Sequence, residues 1–459
     1  MTGPPAVARL VSPLVGPIRT VREVATDCDH AVLPAFAAET ADLSQIHGCP
    51  VRSVSGSALH YDRGAAMAAA VGEAVERYCG AAVPDDLPAA SAAELGARAV
   101  APARFVLFHP DQHARPEFPY RPFLPSSMVR WTAGVDIETG APAYLPAQLV
   151  YLGAEALEER GEVPIGYATS SGMACAPTAE AAILAGLLEL VERDAVMLTW
   201  YLRRSPLRLR WRGNPRLAAV EERCFAPSGL RYVCLDLSEP LAIATVLAVV
   251  FGAEVGVAVG AASAASPEDA WMKAMREAFA TYAWANRLRR RTPAIGQVEL
   301  HRIHSFADHV RFYAEPGNLP LASFLWDDHR AGDHRAGDDR AGDDRAANDR
   351  ADDARADGDR RIDELPRIED SRPVHQIAAV YRKMRAAGAS AYAVDLTTAD
   401  IRRAGLSVWK VVSPELQPLD VGYGRRFLGG ARRTAWADRL GARAGASLDA
   451  LNPWPHPFP

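Results

Sequence analysis

Two carboxylates interrupt an otherwise apolar run: "LLELVERDAV" places Glu189 and Glu192 three positions apart, ahead of Arg193. The same Glu-x-x-Glu-Arg pattern stands in "VGEAVERYCG" as Glu73, Glu76 and Arg77. On a helix, positions i, i+3 and i+4 are neighbours, so each motif sets two carboxylates and a guanidinium on one face. Like charges so placed cost an isolated helix about 0.2–0.5 kcal/mol, and more when buried. One such pair is an ordinary solvated edge; two on helices of shared design point to a common cation. Hard divalent ions take oxygen ligands, and Mg2+ keeps positions for phosphate oxygens and water. The residues therefore predict a Mg2+–nucleotide site assembled from helices.

The helices that must position these groups share their pattern with a third. "AAMAAAVGEAVERY", "AAILAGLLELVERD" and "DAWMKAMREAFATY" align on Glu73, Glu189 and Glu277. All three carry Ala seven positions earlier (Ala66, Ala182, Ala270) and a small residue three earlier (Ala70, Gly186, Ala274). Small residues at that spacing form a stripe that another element can approach closely. The third copy has Ala280 and Thr281 in place of the second Glu and the Arg. "GYATSSGMACAPT" precedes the second helix. Its small and hydroxyl residues suit a turn capped by Thr178, and equally a segment offering N–H groups and Ser171 to phosphate. No GxxxxGK[ST] occurs and no GxGxxG follows a strand, so metal and arginine must do what a glycine loop does elsewhere.

The bulk properties narrow the class. A chain of 459 residues exceeds what one hydrophobic core usually supports. A formal net charge of -5 gives no basic footprint for nucleic acid. No apolar stretch approaches the roughly 20 residues that span a bilayer. "LAIATVLAVVFGAEVGVAVGAASAAS" reads as two buried strands joined by "GAE". The first residues lack a signal-peptide pattern, and six cysteines without CxxC fit reduced thiols, so a cytoplasmic protein is expected.

Residues 1–50 read as an irregular lead-in and 51–326 as the first part of the core, bearing the glutamate helices. Residues 327–362 hold a repeat of Asp, Arg, Ala and Gly without large apolar side chains, expected to be a disordered loop. Residues 363–459 form the last part. Strands are expected at "RYVCLDLS", "IATVLAVV", "AYAVDLT" and "LSVWKVVSP". Helices are expected at "PEDAWMKAMREAFATYAWANRLRR" and "VHQIAAVYRKMRAAG". The mixture predicts an α+β (mixed α/β) fold with a large mixed sheet.

"YATSSGMACAPTAEAAILAGLLELVERDA" is similar to the central motif of the YcaO superfamily, and "AAMAAAVGEAVERY" to its first motif. "LVSPLVGPIRTV", "AGLSVWKVVSPELQPLDVGYGRRFLGGARR" and the closing "PWPHPFP" resemble the SagD-like branch, the D proteins of azole-forming peptide maturases. The resemblance covers nearly all of the chain outside the Asp/Arg repeat. It implies a YcaO-type fold and an ATP- and Mg2+-dependent enzyme acting on peptide backbone amides. A Cys, Ser or Thr side chain attacks the preceding carbonyl, the amide oxygen is phosphorylated, and loss of phosphate leaves a thiazoline or oxazoline. By motif, Glu73, Glu76, Glu189, Glu192 and Glu277 would hold Mg2+ and ATP, with Ser171 beside them. Arg77 and Arg193 would contact phosphate or brace the carboxylates. Departures are Ala69 where many members have Ser, "SGSALH" in place of Gly-Lys-Gly, and Ser170-Ser171-Gly172 in place of Ser-Asn-Gly. Thioamidation and a non-catalytic docking scaffold stand as rival readings.

Alternating prolines in "PWPHPFP" favour an extended segment already ordered before docking. The resemblance implies that it threads into the active site and places His456 or the Pro459 carboxylate there, as general base. No leader-recognition domain is identifiable, so a ThiF-type or other leader-binding partner is expected to bring the precursor peptide to a homodimer; nucleic acid and membrane are not expected partners. Cys28, His30, His47 and Cys49 are spaced too tightly for a usual zinc site, and Cys175 reads as a small buried residue.

Overall fold

The computed structural model describes residues 9–25, 30–46, 53–153, 155–159, 161–326, 359–441 and 447–459. Cys28, His47, Cys49 and nearly all of the Asp/Arg repeat lie outside the described residues. The strands are β1 (Ile18–Glu23), β2 (Ala35–Thr40), β3 (Ser55–Leu59), β4 (Ala89–Ala90), β5 (Val129–Asp136), β6 (Pro142–Pro146) and β7 (Met173–Ala176). They continue with β8 (Leu207–Arg210), β9 (Arg231–Asp236), β10 (Thr245–Phe251), β11 (Ala258–Ser263), β12 (Arg360–Arg361), β13 (Tyr392–Asp395) and β14 (Ser407–Val412). The helices of eight or more residues are α1 (Arg63–Ala81), α2 (Ala179–Tyr201), α3 (Pro267–Arg291), α4 (Phe306–Tyr313), α5 (Pro373–Ala386) and α6 (Arg432–Arg439).

The α+β class is as expected, but the strands are shared among three sheets. β1-β2-β3 form the first, β11-β10-β9-β8-β12 the second and β4-β5-β13-β14-β7 the third, with β6 on β5. Pairing is antiparallel throughout except between β12 and β8. α1 packs on the first sheet and on β7, α2 on β7, β14 and β11, and α3 on β10 and β11. The glutamate helices thus sit where the three sheets meet.

Each of them is the second half of one repeated unit. A strand (β3, β7, β11) leads through a short turn to an N-cap, and the helix follows. The caps are Asp62, Thr178 and Ser266, whose side chains accept hydrogen bonds from the Ala65, Ala181 and Asp269 N–H groups. The small-residue stripe meets a glycine that stands seventeen positions before the first glutamate in every unit: Gly56, Gly172 and Gly260. A Cβ on Gly56 would come 2.2 Å from Ala70 O, and one on Gly260 2.2 Å from Ala278 N and 2.7 Å from Ala274 O. In the second unit the approach is from the other side, since a Cβ on Gly186 would stand 2.4 Å from Gly172 O. Ala66, Ala182 and Ala270 are all fully buried.

The lead-in is more regular than its sequence implies, since it supplies β1 and β2, and β2 with β3 carries α1. Among the described residues, no helix is long and apolar enough to cross a membrane. Cys79, Cys175, Cys224 and Cys234 are free thiols, Cys175 only partly buried.

Candidate active site

The three helices bring their charged faces together. On α1, Arg77 Nη2 lies 2.5 Å from Glu73 Oε1, and Glu73 Oε2 accepts a 2.7 Å hydrogen bond from Ser57 N–H. On α2, Arg193 contacts both carboxylates of its motif, Nη2 to Glu189 Oε1 and Nη1 to Glu192 Oε1, each at 3.1 Å. Lys273 of α3 joins the helices, with Nζ 3.6 Å from Glu192 Oε2 and 3.7 Å from Glu277 Oε1. Glu192 forms a closed floor with 1% of its side chain exposed, whereas Glu73 and Glu277 at 31% and 33% form an open rim.

Burial and mutual repulsion raise the proton affinity of this cluster. Burial lifts Glu73, with Glu277 and Glu189 adding to it against the pull of Arg77 and the Ser57 N–H. Glu76 is pushed well above the carboxylate range by burial, then by Glu189 and Glu73. Glu192 rises to about 7 through burial, opposed by Lys273 and Arg193 and reinforced by Glu277 and Glu189. Burial works against the Lys273 ammonium, but Glu277, Glu192 and Glu189 outweigh it and hold its proton firmly. Because the fold favours the protonated acid, Glu192 contributes stability that is present below about pH 4.5 and lost as pH rises towards 7. Glu73 and Glu76 shift in the same direction. The melting temperature of the ligand-free chain is accordingly expected to fall across that window, and by less in Glu192→Gln; an unchanged slope in the variant would count against this assignment.

A second lysine stands behind the cleft. Lys410 of β14 is buried and donates to Thr169 O and Ser171 O, both at 2.6 Å. Burial lowers its pKa to about 8, against Glu189 and Glu76. Ser171 is therefore held in a turn gripped through its carbonyl, next to Gly172 at φ +79.

The residues fit a Mg2+–nucleotide. Both Glu192 carboxylate oxygens, and Nε and Nη1 of Arg193, are buried without a hydrogen bond. These ion contacts lack hydrogen-bond geometry and leave oxygen ligands and N–H donors available. Among the described residues, no three His, Cys, Asp or Glu side chains are grouped tightly enough to hold a metal alone. Mg2+ takes one or two carboxylates and fills the rest of its shell with phosphate and water. A hollow of about 700 Å3 elsewhere, bordered by Thr199, Asp236 and Arg360, has its arginines already paired, Arg204 with Glu239 and Arg360 with Asp236.

The tail reaches the site by a buried path. Trp200 Nε1 donates to Trp454 O at 2.9 Å and the Tyr313 hydroxyl to Pro455 O at 2.7 Å. The His456 ring stacks on His309 with centroids 4.1 Å apart, its Nε2 is 2.7 Å from Asp420 O, and its own carbonyl is 2.8 Å from His309 Nδ1. Burial, with His309 beside it, keeps the His456 pKa well below the usual range. His456 is thereby fixed through Nε2, its backbone carbonyl and one ring face, while Nδ1 is buried without a hydrogen bond. Contact with the cluster falls to Phe458, whose ring lies 4.5 Å from the Arg193 guanidinium, and Pro459 follows it.

The structure brings Glu73, Glu76, Arg77, Glu189, Glu192, Arg193 and Glu277 to one place. Lys273, Lys410 and Phe458 join them in the structure. Lys273, four positions before Glu277, carries a helical i,i+4 signal; Lys410 and Phe458 have no signal of their own in the sequence.

Fold and site define an α+β protein whose three matched helices form a carboxylate cleft braced by arginine and lysine. The chain belongs to the YcaO family: the model described as YcaO cyclodehydratase, ATP- and Mg2+-binding, matches residues 60–417, and ATP and Mg2+ are its cofactors. An uncharacterized protein in the tfuA 3' region of Rhizobium leguminosarum bv. trifolii is 34% identical over 197 residues, 41% of this chain and 43% of that protein. A heterocyclase solved with substrate and cofactor superposes at TM-score 0.74 and 21% identity, over 99% of this chain and 57% of the other. The heterocyclase TruD gives 0.64 and 22%, over 85% and 50%. The YcaO protein of Methanopyrus kandleri bound with AMPPCP and Mg2+ gives 0.56 and 17%, over 87% and 86%. The chain spans about half the length of the curated relative and of the two heterocyclases.

Proposed function

We propose that this chain is the amide-activating subunit of a peptide cyclodehydratase, forming thiazoline or oxazoline from Cys, Ser or Thr of a ribosomal precursor peptide. The observation that carries this reading is the meeting of two features at Arg193: the five-carboxylate cleft from one side and the Phe458 end of the tail from the other. Mg2+–ATP, when bound, supplies the phosphoryl group that turns a backbone amide oxygen into a leaving group. Glu73, Glu76, Glu189, Glu192 and Glu277 line the cleft and would supply the carboxylate oxygens for Mg2+ and, through it, the nucleotide, one or two to an ion. Arg77 and Arg193 brace the carboxylates and face phosphate, and Lys273 balances the buried Glu192 charge. The tail, anchored by His456, excludes water above Arg193 and sets Pro459 where the peptide reacts.

The reading includes a separate leader-binding partner, of ThiF type or another, and a homodimeric assembly. The solved heterocyclase with substrate and cofactor supports it by fold. The test is to combine the chain with ATP, Mg2+, a precursor peptide and its partner, following phosphate release and peptide mass. Loss of one water per ring, with phosphate release, is expected. Exchange of oxygen for sulfur would instead establish thioamidation, and absence of phosphate release would establish a scaffold.

A further inference from the structure

We infer that Arg276 is a phosphate-binding residue of this cleft, an inference that rests on the nucleotide reading above. Every other cation at the site is engaged by the protein itself. Arg77 is held by Glu73, Arg193 by Glu189 and Glu192, Lys273 by Glu192 and Glu277, and Lys410 by two carbonyls. Arg276 stands on α3 between Lys273 and Glu277, half-buried. Among the described residues, its side chain makes no ion pair and no hydrogen bond.

Its surroundings set it beside the turn that leads into α1. Tyr61, in the turn between β3 and α1, donates from its hydroxyl to Met272 O at 2.7 Å, so this turn lies along the Arg276 side of α3. Burial and then the Arg276 charge pull the neighbouring His60 imidazole below its usual range. The same two elements, α1 and α3, carry the open-rim carboxylates Glu73 and Glu277.

A half-buried guanidinium has given up part of its hydration, which is unfavourable unless a partner replaces it. Its planar fork of N–H donors matches phosphate oxygens, and charge-assisted bonds of this kind are the strong ones. The first two units carry an arginine four positions after their first glutamate, Arg77 and Arg193, whereas the third has Thr281 there. Arg276 supplies the third helix with its guanidinium from the position beside Glu277 instead. Among the described residues, it is the cleft-side cation held by no carboxylate or carbonyl of the protein.

The experiment titrates the full chain with Mg2+–ATP, comparing the unaltered protein with Arg276→Gln and Arg276→Lys, and records a melting curve for each. Arg276→Gln is expected to weaken Mg2+–ATP about tenfold or more, Arg276→Lys to bind more tightly than Arg276→Gln, and all three to melt together. Gln binding within about twofold of the unaltered chain, Lys binding no better than Gln, or a lowered melting temperature in the Gln variant would each overturn the assignment. If the unaltered chain binds no Mg2+–ATP, the nucleotide reading falls first and this inference with it.

Discussion

Glu189→Gln is expected to lower ATP turnover by about a hundredfold or more while leaving the fold intact. Glu189 lies in the half-open part of the cleft, with 20% of its side chain exposed and an Arg193 contact at 3.1 Å. An amide of the same size preserves packing, and a partly solvated site tolerates the lost charge within about 1 kcal/mol. What disappears is an anionic oxygen for the metal and one of the two carboxylates that aim Arg193. Glu192→Gln should behave differently. The Glu192 carboxyl, 1% exposed and favoured by burial in the protonated form, is mimicked by the amide, so the melting temperature near pH 7 should be kept or raised while an anionic oxygen for the metal is lost. Phosphate release and melting curves on both variants separate the effects. Wild-type turnover by Glu189→Gln would remove the metal assignment.

The second large effect belongs to the tail. Deleting residues 454–459 should abolish ring formation and lower the melting temperature, while Mg2+–ATP binding stays within about tenfold. The loss of stability follows from what the segment covers. Phe458 is 2% exposed, and removing a buried aromatic side chain costs about 3–5 kcal/mol. The Trp200 indole, the Tyr313 hydroxyl and His309 would also lose their carbonyl partners. Binding is spared because the metal-holding carboxylates come from α1, α2 and α3, which the deletion leaves whole. Phe458→Ala isolates the contact with Arg193 from the anchoring bonds. Full ring formation by the deleted chain would show that the tail has no part in the reaction.

The three glutamate helices were legible because their register is written into contiguous residues. Carboxylates three apart and small residues at fixed offsets have no other economical explanation on an apolar helix. The fold around them was legible in part. β10 and β11 are runs of mostly apolar, almost wholly buried residues and announce themselves. β1 and β2, "IRTVRE" and "AFAAET", are short and mostly polar or alanine, and gain their order from pairing, β1 on β2 and β2 on β3, and from packing under α1. Lys410 was invisible for a different reason: it lies 221 positions after Glu189, so only the sheet β13-β14-β7 brings it behind the cleft. The resemblance named His456 as a base, and a histidine in a tail carries no mark of whether its ring faces a substrate or a carbonyl. Here Asp420 O takes one ring nitrogen and His309 covers one face of the ring.

The constant interval between Gly56, Gly172 or Gly260 and its glutamate makes each unit a measured arm. One residue added inside an arm would swing its carboxylate about 100° around the helix axis and out of the cleft. Length added between arms changes nothing at the ion. Growth of this chain is thereby channelled into its connections, and the Asp/Arg repeat, which falls after the third arm, sits where such growth is free. The cleft is held to tolerance by three short rulers, and the rest of the sequence has latitude to diverge.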